Sequence, residues 1–98
     1  MPVVSGTSSA ELKPPGGKLL RCTLTIKEGV IASIRFSGDF FLIPGEKMVA
    51  LEDALTRMEV EKIERVIHSF FSTAHVDMLG VAPEHFVETA KMALAKLH

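Results

Sequence analysis

Cys22 is the only thiol of this 98-residue chain, and a thiolate can act as a nucleophile when a neighbouring base or cation lowers its pKa. It stands in register with Leu20, Leu24 and Ile26, in a run where apolar and polar residues alternate, so its spacing predicts a small buried residue of a strand. Asp39 has the chemistry of a general base. No His, Lys or second carboxylate is spaced to pair with it, and an aspartate beside Gly38 more readily accepts backbone N–H groups in a turn. His68, His75, Asp77 and His85 carry metal-ligating atoms, but their spacing matches no zinc pattern and the segment reads as a loop between helices. Gly16-Gly17 precedes a strand instead of lying between a strand and a helix, which argues against a P-loop or a dinucleotide fingerprint. No catalytic residues and no metal ligands emerge.

The most informative stretch is Ser37-Gly38-Asp39-Phe40-Phe41, which sets a glycine, a carboxylate and two large aromatics directly after a strand-like run. Two phenylalanines at a strand exit need something to pack against. The options are the chain's own helices, a ligand or a partner protein.

The elements that position this stretch follow from periodicity. Residues 1–15 read as a flexible N-terminal arm, since Ser, Thr, Gly and the pair Pro14-Pro15 disfavour both helix and strand. From Lys18, the residues Leu20, Cys22, Leu24 and Ile26 alternate with Arg21, Thr23, Thr25 and Lys27, predicting a strand with one buried face. Glu28-Gly29 supplies a tight reversal. Val30, Ala32, Ile34 and Phe36 then alternate with Ile31, Ser33, Arg35 and Ser37 as a second, antiparallel strand. A lone hairpin is marginal in water and needs a cover. Three helical stripes supply it: Met48, Leu51, Leu55 and Met58; then Ile63, Val66, Ile67, Phe70 and Phe71; then a third beginning at Pro83 and running through Phe86, Val87, Ala90, Ala93, Leu94 and Leu97. The expected class is α+β, a small antiparallel sheet covered on one face by about three helices.

Composition narrows the function classes. Hydrophobic residues make up 47% and charged residues 23%, ordinary globular usage. No apolar run nears the roughly 20 residues that span a bilayer, and the segment after Met1 lacks the regions of a signal peptide, so a cytoplasmic protein without a membrane partner is expected. A net charge of −1 argues against nucleic acid as a partner. Residues 1–45 carry five Lys/Arg against three Asp/Glu, and residues 46–98 six against nine, a mild basic–acidic asymmetry of the kind two solvated faces produce.

Gly16-Gly17-Lys18-Leu19-Leu20, the hairpin Thr25-Ile26-Lys27-Glu28-Gly29-Val30-Ile31, and Ile34-Arg35-Phe36-Ser37-Gly38-Asp39-Phe40-Phe41 together resemble the C-terminal accessory domain of lipoate–protein ligases. Leu51-Glu52-Asp53-Ala54-Leu55 is similar to that domain's first helix, and Leu79-Gly80-Val81-Ala82-Pro83-Glu84-His85-Phe86 to its closing helix entry. The resemblance covers roughly residues 16–95, with Gly-Asp-Phe-Phe as its most specific part. In that family the lipoate pocket, ATP site and catalytic lysine belong to a separate large domain, to which the accessory domain is fused or supplied as a small protein. From its ends, this chain is expected to be the separate form.

The resemblance implies a non-catalytic subunit that forms a heterodimer with a large catalytic subunit and is needed for conversion of lipoate and ATP to lipoyl-AMP, ahead of transfer to lipoyl carrier domains. It implies no cofactor on this chain alone, with lipoate, ATP and Mg²⁺ on the partner. The expected docking residues are Phe40, Phe41, Arg21, Arg35 and Lys18, with Gly38 and Asp39 as the structural turn. For the phenylalanines, two arrangements are open: both cap the core, or one turns inward and the other meets the partner, the second being the expectation. Arg21 and Arg35 could equally be solvated strand residues. An independent module for a small ligand, or a self-contained enzyme using Cys22 or Asp39, would be the alternatives.

Overall fold

The computed structural model describes residues 5–97. Its chain order is β1 (Gly6–Leu12), β2 (Leu20–Lys27), β3 (Val30–Gly38), β4 (Phe41–Ile43), α1 (Glu46–Leu55), a 3-10 turn (Val60–Lys62), α2 (Ile63–Thr73), β5 (Asp77–Leu79) and α3 (Pro83–Ala95). Strands β1, β2 and β3 form one antiparallel sheet in that order, and β4 pairs with β5 in a separate two-stranded ribbon. All three helices pack against the inner face of the larger sheet or against one another, so the α+β class and the one-sided helical cover are as expected. Among the described residues, no helix is long and apolar enough to cross a membrane.

Strand β2 follows its alternation: Leu20, Cys22, Leu24 and Ile26 are buried while Arg21, Thr23 and Lys27 are exposed. The turn to β3 has positive φ at both central residues, 52° at Glu28 and 77° at Gly29, which matches the twist of a two-residue hairpin. Strand β3 departs from the expected phase. Thr25 faces Ser33 while Ile26 faces Ile31, leaving Ala32 as the extra residue of a bulge. The bulge switches the alternation, so Ile31 is buried and Ala32 exposed, the reverse of the expectation, while Ile34 and Phe36 face the core.

The expected arm is the larger correction. Gly6–Leu12 is a strand, paired with β2 from Gly6 opposite Ile26 to Leu12 opposite Leu20; the part of the arm at residues 1–4 lies outside the described residues. Its inward positions Gly6, Ser8 and Ala10 are small because α3 lies directly above them. A Cβ on Gly6 would sit 3.0 Å from Leu97, and the Ser8 hydroxyl donates to the Ala93 carbonyl at 2.5 Å. Large apolar residues, the usual mark of a strand, would hold the helix off.

The free edge of β3 is closed by polar groups. The Phe36 amide donates to Glu52 Oε2 of α1 at 2.8 Å, and Ile31 exchanges hydrogen bonds with Met58 and Arg57 beyond the end of that helix. Such closure denies neighbouring chains an unpaired strand edge. Helix α1 ends at Leu55, so Met58, expected on its apolar stripe, is instead partly exposed. At α3, Pro83 takes the first turn as expected, and the Ala82 amide donates to His85 Nδ1 at 2.9 Å, occupying one of the histidines that had suggested metal chemistry.

The core centres on Phe86, fully buried on α3. Phe36, Phe40 and Phe71 surround its ring with centroid distances of 5.0, 5.5 and 5.3 Å. Edge-on and tilted arrangements of this kind add to the stabilisation from area burial alone.

Candidate docking surface

Phe40 and Phe41 part company at the exit of β3. Phe40 turns inward, its ring edge-on to Phe86 at an interplanar angle of 86°. Phe41 begins β4 and points the other way, 66% exposed. The ribbon explains why. Phe41 faces Leu79, Leu42 faces Met78 and Ile43 faces Asp77, so the period of two sends Leu42 and Met78 toward the core and Phe41, Ile43 and Leu79 outward. Ile43 and Leu79 are 55% and 60% exposed, giving three large apolar side chains on one face of a six-residue ribbon. A cluster of this kind marks an interaction site more often than a single exposed leucine does.

Beside the ribbon, three loop segments meet in backbone contact. Asp39 N–H donates to the Leu19 carbonyl at 3.0 Å, and Lys18 N–H donates to the Gly80 carbonyl at 2.8 Å. Gly38 and Gly80 adopt φ of 147° and 95°, and neither has room for a side chain. A Cβ on Gly38 would stand 2.1 Å from the Leu19 oxygen, and one on Gly80 would stand 2.4 Å from the Lys18 side chain. Lys18 therefore lies with its stem against Gly80. Around this junction, Lys13, Gly17, Lys18, Leu19 and Asp39 line a cleft of about 420 Å³. Asp39 shapes the turn through its amide, where the carboxylate had been expected to do so, and the residue lines the cleft.

Arg21 and Arg35 stand elsewhere, on the outer face of the three-stranded sheet. Arg21 is opposite Ser37 and Arg35 opposite Thr23, and Arg21 pairs with Glu11 at 3.0 Å. The structure thus groups Lys18, Asp39 and Phe41 near the ribbon and leaves the two arginines on a separate, hydroxyl-rich surface. Sequence reasoning missed Ile43 and Leu79. Their only signal was apolar character beside a proline and a glycine, since three-residue strands carry too few positions to show a period.

Of the residues first weighed for chemistry, Cys22 lies in the core and the histidines and Asp77 lie on separate segments. Cys22 is fully buried, and burial, with a smaller contribution from the charge of Glu52, pushes its thiol up to about 12. His68 is exposed on α2, His75 lies in the following loop, and Asp77 belongs to β5 where a loop had been expected. Among the described residues, no group of three or more His, Cys, Asp or Glu side chains is close enough to share a metal ion.

No protein-family model matches the chain. It is 35% identical over 74 residues to lipoate-protein ligase A subunit 2 of Thermoplasma acidophilum, a span covering 76% of this chain and 78% of that relative. Its fold superposes with a TM-score of 0.73 and 32% identity on a chain solved in a structural analysis of an archaeal lipoylation system, comprising a bi-partite lipoate protein ligase and its E2 lipoyl domain from the same organism. That likeness covers 88% of this chain and 93% of the solved one. With most of both chains aligned in sequence and in fold, the protein belongs to the lipoate–protein ligase A subunit 2 family.

Proposed function

We propose that this protein is the non-catalytic accessory subunit of a two-component lipoate–protein ligase, and that its β4–β5 ribbon docks on the large catalytic subunit. The observation that carries the docking assignment is the outward cluster of Phe41, Ile43 and Leu79 on a strand pair whose inner residues are already anchored in the core. Rigid apolar side chains on an ordered ribbon lose little conformational freedom on binding, so more of their burial appears as affinity. In the assembled heterodimer, lipoate, ATP and Mg²⁺ occupy the catalytic subunit. The accessory subunit closes that site around them, excluding water and aligning the lipoate carboxylate with the α-phosphate. The lipoyl group then passes to a lysine of a carrier domain, and the whole sequence belongs in the cytoplasm, where ATP and the carriers are available.

Titration calorimetry of this chain against the catalytic subunit tests the assignment. A one-to-one complex should form, and Phe41→Ser should weaken it at least tenfold with no loss of melting temperature, as expected for an exposed anchor. Equal affinity for the variant would remove the ribbon from the interface.

A further inference from the structure

The cleft beside the ribbon carries a second role, which rests on the docking assignment above. We propose that Lys18 is a positioned cation that the docked subunit presents to the phosphates of the bound nucleotide, acting across the subunit boundary during lipoate activation.

Three observations converge on it. First, Lys18 is joined to the docking ribbon by direct contact: its amide bonds to Gly80, the residue that follows Leu79, and its stem lies where a Gly80 side chain would otherwise be. Whatever Phe41 and Leu79 dock against, Lys18 is carried to the margin of the same surface. Second, the junction is built without slack. Gly17, Gly38 and Gly80 each stand where a Cβ would meet backbone or side-chain atoms closer than 3.0 Å, and the loops that hold Lys18 and Asp39 are joined by the Lys18–Gly80 and Asp39–Leu19 backbone hydrogen bonds. A surface lysine ordinarily loses rotamer freedom when fixed, and a stem already laid against Gly80 has part of that loss behind it. Third, Lys13 and Asp39 line the same cleft as Lys18, and all three are exposed, so two cationic residues and one anionic residue share its margin.

The amides of Gly17, Lys18 and Asp39 are already bonded to Pro14, Gly80 and Leu19, so an oxyanion here must be held by the lysines and not by a backbone nest. Among the described residues the ion pairs are Arg21 with Glu11, Lys62 with Glu59 and Lys91 with Glu64, and Lys18 makes none. The excess of one positive charge, two lysines less one aspartate, is too small to bind a free phosphate firmly. The site is completed only when docking brings the nucleotide to it.

The chemistry that needs such a cation is adenylation. A lipoate carboxylate oxygen attacks the α-phosphorus, a C(O)–O–P bond forms, the bond from that phosphorus to the bridging oxygen breaks, and pyrophosphate leaves with the electron pair. Negative charge builds on the phosphoryl oxygens and the leaving pyrophosphate, and a fixed ammonium stabilises it. Lys18 transfers no proton and forms no bond.

Lys18→Gln, Lys18→Arg and Lys13→Gln test the proposal in the two-subunit complex. Association with the catalytic subunit is followed by calorimetry, and lipoate-dependent pyrophosphate release by steady-state kinetics in ATP. Lys18→Gln should bind within about twofold of wild type, while kcat/KM for ATP falls tenfold or more even at saturating subunit. Lys18→Arg should recover most of the loss, and Lys13→Gln should show a smaller one. Unchanged kcat/KM in Lys18→Gln would overturn the proposal. So would a defect that disappears at saturating subunit, which makes Lys18 a docking residue and leaves the accessory-subunit assignment intact. If the wild-type chain neither binds the catalytic subunit nor alters pyrophosphate release, both assignments fall together.

Discussion

Phe40 meets Phe86 edge-on, with ring centroids 5.5 Å apart, at the point where the chain leaves the main sheet. That contact fixes the direction in which the next residue must point. With Phe40 committed to the core, the extended backbone of β4 sends Phe41 outward, across from Leu79. Core packing and the candidate interface are thus set by two adjacent side chains.

Substitutions at the two positions should separate cleanly. Phe40→Ala should lower stability by roughly 2–4 kcal/mol, toward the low end for a phenylalanine because Phe40 is half-buried. Phe41→Ala should change stability by less than about 0.5 kcal/mol. Chemical denaturation of both variants checks this, and a large loss at Phe41 would mean that its ring is packed and not presented.

The edge of β3 gives a second test. Removing the Glu52 carboxylate in Glu52→Ala strands the Phe36 amide, which should cost about 1–3 kcal/mol. Glu52→Gln keeps an acceptor at the same place and should recover much of that loss. If the two variants melt alike, the hydrogen bond does not hold this edge.

Gly38 should tolerate no side chain. In Gly38→Ala the methyl group meets the Leu19 carbonyl, in a backbone conformation that disfavours alanine as well, so a loss on the order of 1–3 kcal/mol or more is expected. Hydrogen exchange should locate the damage at Asp39 and Lys18, whose amides bond across this junction. Damage spread evenly over the sheet would contradict the local role.

Much of this was legible in the sequence because the signals were large and periodic. The β2 alternation and the stripes of α2 and α3 each need their apolar residues on one face, and each was found where the pattern put it. Strand β1 was not legible, because its inward residues are selected for the close approach of α3 and are therefore small. Ala32 hid the phase of β3, since a bulge inserts one residue without changing the composition. The ribbon brings Phe41 and Leu79 together from positions far apart in the chain, and the cleft depends on three glycines whose common purpose appears only when the loops touch. Phe41 and Lys18 could be proposed as interface residues from the family resemblance, but their neighbours could not.

Cys22 offers a pH test. Its thiol is raised from 9.0 to about 12 in the fold, mainly by burial, so the native state holds its proton more tightly than the unfolded chain does. The resulting stabilisation is complete below about pH 9 and is lost as pH rises toward 12. Cys22→Ala should therefore show a flatter alkaline dependence of stability than wild type. Thiol labelling at pH 8 should be slow in the native protein and prompt after denaturation, whereas rapid native labelling would contradict burial of the strand.

The most direct test of the accessory-subunit assignment is pyrophosphate release from lipoate and ATP with Mg²⁺, measured for the catalytic subunit alone, for this chain alone and for the two together. Efficient release is expected only from the mixture, and Phe41→Ser should reduce it unless the variant is supplied in large excess. Full activity from the catalytic subunit without this chain, or turnover by this chain by itself, would contradict the account.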